Sequence, residues 1–166
     1  GAGKTVVGFM SLLQAVESGG QGVMMAPTEI LARQHLARLR PLANLAGVTI
    51  DILTGRDKGS VRNQKLIKLL SGELNILVGT HAVFQEDVEF CDLRLSIVDE
   101  QHRFGVAQRS KMWKKNVQPP HILIMTATPI PRTLAMTAYG DLDYSVIDEL
   151  PPGRQPVTTV HRYETY

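Results

Sequence analysis

A chain of 166 residues with a single cysteine, Cys91, has no internal disulfide and no cysteine-based zinc site, which excludes the disulfide-stapled scaffolds and the zinc fingers. Aromatic residues make up only 5%, and neither sign of charge dominates, with 18 Lys and Arg against 16 Asp and Glu. Such a balance provides no chain-wide attraction to a polyanion, so any nucleic-acid surface has to be local. The most apolar stretches, such as His121 to Met125, fall far short of the roughly 20 residues that span a bilayer. A signal-peptide pattern is also lacking at the amino terminus, and the expectation is a soluble intracellular protein without a membrane partner. Apolar residues supply 43% of the chain, enough at this length for one domain with a core.

Short apolar runs bounded by Gly, Pro or Asp alternate with longer segments of helical period, the arrangement of a parallel sheet covered by helices. The fold class is therefore α/β. Strands are predicted at Gly22 to Ala26, Thr49 to Leu53, Asn75 to Val78, Leu93 to Val98 and Ile122 to Thr126. Helices are predicted at Lys4 to Glu17, Glu29 to Arg40 and Val61 to Leu70, with shorter ones at Arg109 to Lys115 and Thr133 to Tyr139. Three prolines, a glycine and an arginine between Leu150 and Pro156 read as a linker, and Val157 to Val160 as extended chain beyond it.

Three strand or helix ends carry chemistry. Gly1-Ala2-Gly3-Lys4-Thr5 runs directly into an apolar helix. Glycines let successive backbone N–H groups face phosphate oxygens, and the helix amino terminus favours an anion. Lys4 is placed to reach the β- and γ-phosphates and Thr5 to hold magnesium. An ordinary helix start is the plainer alternative for Gly-Lys-Thr, and the earlier glycine of the full pattern falls before Gly1. The apolar run Leu95 to Val98 ends in Asp99 and Glu100. One carboxylate suits a magnesium shell, and the other suits orienting and deprotonating a water; a solvated acidic turn is the plainer alternative. The run Ile122 to Met125 ends in Thr126-Ala127-Thr128-Pro129, where hydroxyls at 126 and 128 either couple the acidic turn to a distant surface or serve the local turn.

In order, Gly-Ala-Gly-Lys-Thr, Ala-Pro-Thr-Glu-Ile-Leu (26 to 31), Gly-Thr-His-Ala (79 to 82), Asp-Glu-Gln-His (99 to 102) and Thr-Ala-Thr-Pro (126 to 129) resemble the motifs of the first RecA-like motor domain of superfamily two helicases. The resemblance spans almost the whole chain. The longer strings 99 to 109 and 126 to 135 look like the RecG family of bacterial, ATP-dependent DNA helicases, while the motor of the transcription-repair coupling factor is the near alternative from which His102 separates it.

The resemblance implies a three-layer α/β/α domain of P-loop NTPase type over residues 1–148, without the strand before its phosphate loop, and a linker into a second motor domain over 149–166. It implies ATP and Mg2+, bacterial cytoplasm, and movement on branched duplex DNA in recombination and repair. By the same likeness Gly1, Gly3, Lys4 and Thr5 contact nucleotide, Thr5 and Asp99 contact magnesium, and Lys4, Asp99 and Glu100 serve hydrolysis. Gln101 and His102 face the interdomain cleft. Pro27, Thr28, Thr54, Gly55, Thr80 and His81 match positions facing the DNA backbone, where gripping without base reading suits a motor. For each of these loop residues a simple turn role stands beside the functional one.

The basic residues Arg103, Arg109, Lys111, Lys114 and Lys115 around Trp113 fit either a DNA patch or a solvated interdomain helix. His35, His121 and His161 have no metal-ligand spacing, so no metal beyond magnesium is expected. Adenine-recognition residues, the second motor domain with its arginine and the amino-terminal wedge domain of this family have no candidates in the chain. The isolated chain is therefore expected to be nearly inactive. A DNA-binding scaffold with a degraded phosphate loop is the competing reading from another class.

Overall fold

The computed structural model describes residues 3–99, 120–126 and 145. The chain order is α1 (Lys4–Glu17), β1 (Gln21–Met25), α2 (Glu29–Ala46), β2 (Ile50–Leu53), α3 (Gly59–Ser71), β3 (Ile76–Gly79), a 3₁₀ turn (His81–Phe84), β4 (Leu93–Asp99) and β5 (His121–Met125). The expected helices at 109–115 and 133–139, the basic cluster around Trp113, and the linker lie outside the described residues.

Five strands form one sheet in the order β2-β3-β1-β4-β5, and every described pairing is parallel. Parallel neighbours need crossovers, and these place helices on both faces. Phe9 and Leu12 of α1, and Ala32, Leu36, Leu39 and Ala43 of α2, pack with Met24, Ile52, Ile76, Val78 and Ile97 on one face. On the other face Leu69 of α3 joins Val23, Met25, Leu53, Leu77 and Val98, with Ala82 and Val83 of the 3₁₀ turn. The result is the three-layer α/β/α fold, with its apolar core divided by the sheet. Strands β1 and β3 are buried along their whole length, which explains why both read as unbroken apolar runs rather than alternating ones.

Each strand lies within one residue of its sequence expectation, and α1 coincides with it. Helix α2 does not stop at Pro41. It continues to Ala46, because Leu39 and Ala43 keep the buried stripe going while Pro41 itself is exposed. Pro41 lacks the N–H for one helical hydrogen bond, but the buried stripe outweighs that loss. Gly47 then ends the helix at φ 71°, its N–H donating to the Ala43 and Asn44 carbonyls.

Candidate functional site

Because the strands are parallel, every loop that leaves a strand's carboxyl end opens on one rim of the sheet. Pro27 and Thr28 follow β1, Thr54 and Gly55 follow β2, Thr80 and His81 follow β3, Asp99 ends β4, and Thr126 follows β5. Eight residues picked from five separate stretches of sequence therefore share that rim. The strand order divides them: the β2-β3-β1 half carries 27–28, 54–55 and 80–81, and the β4-β5 half carries 99 and 126.

Helix α1 runs antiparallel to the strand that follows it. Gly8 lies against Ile97, Met125 and Met24, where an added Cβ would stand 3.4 Å from each side chain. Leu12 lies over Gly22, nearer the opposite rim. From Gly8 back to Lys4 the helix rises about 6 Å, and from Ile97 to Asp99 the strand advances about 6.6 Å. The first turn of α1 and the Asp99 end of β4 therefore reach about the same level, which brings two groups that the sequence separates by 95 positions to the same rim.

Gly3 enters the helix with φ 81°, a left-handed conformation that costs glycine little and other residues more. Among the described residues no side chain caps this helix end, and its first-turn N–H groups are suited to an anion. Lys4 and Thr5 are half-buried and make no side-chain hydrogen bond or ion pair among the described residues. Asp99 is 9% exposed, and its Oδ2 accepts a hydrogen bond from His35 Nε2 at 2.6 Å. Strand alternation turns Asp99 to the same face as Leu95 and Ile97, the face covered by α1 and α2. The sequence gives His35 no metal-ligand spacing and so no role at the site. The usable signal was its place on the apolar stripe of α2 between Ala32 and Leu39, where a buried polar group requires a partner.

On the other half of the rim the loops are fixed by side chains. Thr28 caps α2, its Oγ1 accepting from Leu31 N–H at 3.3 Å. Glu29 pairs with Arg33 at 2.9 Å and reaches across to Arg56 at 3.2 Å, tying the loop after β1 to the loop after β2. Thr54 is 1% exposed, and its hydroxyl accepts from Arg56 N–H at 3.3 Å. Its side chain thus has the turn role, and Gly55, Arg56 and Lys58 are the exposed positions of that loop. Thr80 is half-buried and His81 exposed, at the start of the 3₁₀ turn.

Asp57 holds the β2 loop in place. It accepts from Thr54 N–H at 2.9 Å and from Lys65 Nζ at 2.9 Å, while Lys65 also donates to the Ile52 carbonyl at 2.8 Å. Burial alone would raise the Asp57 carboxyl, but the Lys65 and Thr54 hydrogen bonds, with the charges of Lys65 and Arg33, together hold it below its ordinary value of 3.8. Gly1, Glu100, Gln101, His102 and Thr128 lie outside the described residues.

The sequence matches the DEAD/DEAH box helicase family model over residues 1–137. It is 55% identical over 163 residues to the ATP-dependent DNA helicase RecG of Pasteurella multocida, and 55% identical over 163 residues to that of Escherichia coli K12. In each case the match covers 96% of this chain and 24% of the relative, so the chain spans about a quarter of their length. Among solved structures, RecG bound to a three-way DNA junction superposes with a TM-score of 0.79 at 42% identity, covering 93% of this chain and 20% of that one. With the RecA-like fold, the ordered motifs and the shared rim in agreement, the chain belongs to the DEAD/DEAH box helicase family.

Proposed function

We propose that this chain is the first motor domain of a RecG-type helicase, in which ATP hydrolysis drives movement on branched duplex DNA such as forks and four-way junctions. The observation that carries this reading is the common level of the α1 amino terminus and Asp99. A phosphate cradle and a carboxylate at one rim are what ATP hydrolysis needs; a scaffold has no use for the pair. Residues 1–148 form the domain in this reading, and 149–166 lead into a second one.

The first-turn N–H groups and Lys4 bind and orient the phosphates by charge and hydrogen bonding. Thr5 and Asp99 would hold Mg2+, and the donor set fits: a hydroxyl and a carboxylate are the hard oxygen ligands this ion takes, and just one Asp99 oxygen is engaged among the described residues. When bound, the ion offsets negative charge on the β- and γ-phosphate oxygens. Glu100 takes the proton of the attacking water, Gln101 and His102 contribute to the nucleotide side of an interdomain cleft, and Thr126 and Thr128 relay the nucleotide state. Pro27, Thr28, Gly55, Thr80 and His81 face the DNA backbone, with Thr54 shaping their loop from within. This division follows the two halves of the rim.

The test is ATP turnover with and without a three-way junction, in a polypeptide spanning the length of the RecG relatives, comparing wild type with Lys4→Ala. Wild type is expected to be stimulated by the junction and Lys4→Ala to lose turnover while still binding DNA. Absence of stimulation, or remodelling that survives Lys4→Ala, would overturn the reading in favour of a scaffold. The isolated chain should hydrolyse at background, because an arginine from a second domain contributes about 10³ to 10⁵ in rate.

A further inference from the structure

We propose that His35 is the positioning residue for Asp99: through its Nε2–H it fixes the carboxylate rotamer so that the second oxygen faces the magnesium shell. The proposal rests on the reading of Asp99 given above and adds a residue from outside the helicase motifs. A carboxylate only accepts hydrogen bonds, so the imidazole donates, and at 2.6 Å the contact falls in the short range of charge-assisted bonds. The two side chains are 9% and 12% exposed, so little water competes for either partner. His35 lies two helical turns after the Thr28 cap on a stripe otherwise formed by Ala32, Leu36, Leu39 and Ala43.

Its own hydrogen-bonding account does not close. The Nδ1 atom is buried and has no partner among the described residues. An orphaned buried nitrogen costs about 1–3 kcal/mol, so the fold alone would favour an apolar side chain at this position, like its neighbours on the stripe. Among the described residues, what the imidazole contributes is one bond, to Asp99. A single imidazole N–H suits this task, because it fixes one carboxylate oxygen and leaves the other open toward the cation. A strand-end carboxylate without such a bond is free to rotate, and each metal-binding event would have to pay for ordering it.

The test titrates Mg2+ against binding of a fluorescent ADP analogue, in a polypeptide spanning the length of the RecG relatives, with thermal midpoints measured in parallel. His35→Leu should raise the Mg2+ concentration for half-maximal binding about 10-fold or more, leaving metal-free nucleotide affinity unchanged. His35→Gln, whose Nε2 extends to a similar reach, should restore the wild-type requirement; His35→Asn, which is too short, should not. If His35→Leu fails to fold, the contrast between Gln and Asn decides alone. In an Asp99→Asn background, itself shifted in Mg2+ requirement, His35→Leu should add nothing further. A wild-type Mg2+ requirement in both His35→Leu and His35→Asn, with Asp99→Asn shifted, overturns the positioning role and leaves the reading of Asp99 standing. An unshifted Asp99→Asn overturns both.

Discussion

Two buried polar side chains, at opposite rims of the same sheet, meet their hydrogen-bonding needs differently. Gln21, at the amino end of β1, is 2% exposed and fully engaged: Nε2 donates to the Leu69 and Leu74 carbonyls at 2.7 and 2.8 Å, and Oε1 accepts from Asp92 N–H at 2.9 Å. It clamps the end of α3, the approach to β3 and the approach to β4 onto the start of β1. His35, at the carboxyl rim, makes one bond and leaves Nδ1 without a partner among the described residues. A closed set of bonds is what stability alone produces, whereas an incomplete set marks a position held for another purpose. The amino rim is where the sheet is fastened, and the carboxyl rim carries the proposed site.

That contrast is broken most decisively at Asp99 and Gln21. Asp99→Asn should lower junction-stimulated ATP turnover about 100-fold or more with a thermal midpoint near wild type. Gln21→Leu should do the reverse, losing about 2 kcal/mol of stability with the buried bonds to the Leu69, Leu74 and Asp92 backbone while turnover per folded molecule is unchanged. Chemical denaturation alongside steady-state kinetics checks both, and a Gln21 variant that selectively lost turnover would erase the distinction between the rims.

Smaller effects sharpen the picture around the β2 and β3 loops. A Cβ on Gly79 would collide with the Leu53 carbonyl and the Val83 side chain, so Gly79→Ala should cost about 2 kcal/mol by overpacking. Gly55 has open space around it, and Gly55→Ala should stay within about 0.5 kcal/mol by the same denaturation measurement. The Asp57 clamp predicts a pH effect. Its folded-state carboxyl sits below 3.8, so the unfolded chain binds more protons as acid is added. The stabilisation is complete above the ordinary carboxylate value and disappears as pH falls through the lower folded one. Asp57→Asn should abolish that part of the acid dependence; an unchanged acid limb of the stability profile would refute the clamp. Smallest of all, Arg56→Ala should cost under about 1 kcal/mol, because its partner is Glu29 in an exposed pair, and raised salt should mask most of it.

Much of this was legible before any coordinates. Unbroken apolar runs marked the strands, because a parallel sheet buries both faces of its strands, and the motif strings named Lys4, Thr5 and Asp99. The extension of α2 past Pro41 was not legible, since local propensity says that a proline ends a helix while the buried Leu39 and Ala43 say that it continues. For Thr54 the sequence leaves a role facing the DNA backbone and a turn role side by side; its burial depends on Arg56 and Asp57 folding back over it, a property of the closed turn rather than of the residue.

The sequence by itself determined the alternation of elements, the helix start behind Gly3 and the carboxylate at the end of β4, since each depends on residues a few positions apart. Only the tertiary structure decided which of them meet. The crossovers bring His35 to Asp99 across 64 positions and Gln21 to Asp92 across 71, and pairings at that separation are set by strand order and helix packing, which no local pattern encodes.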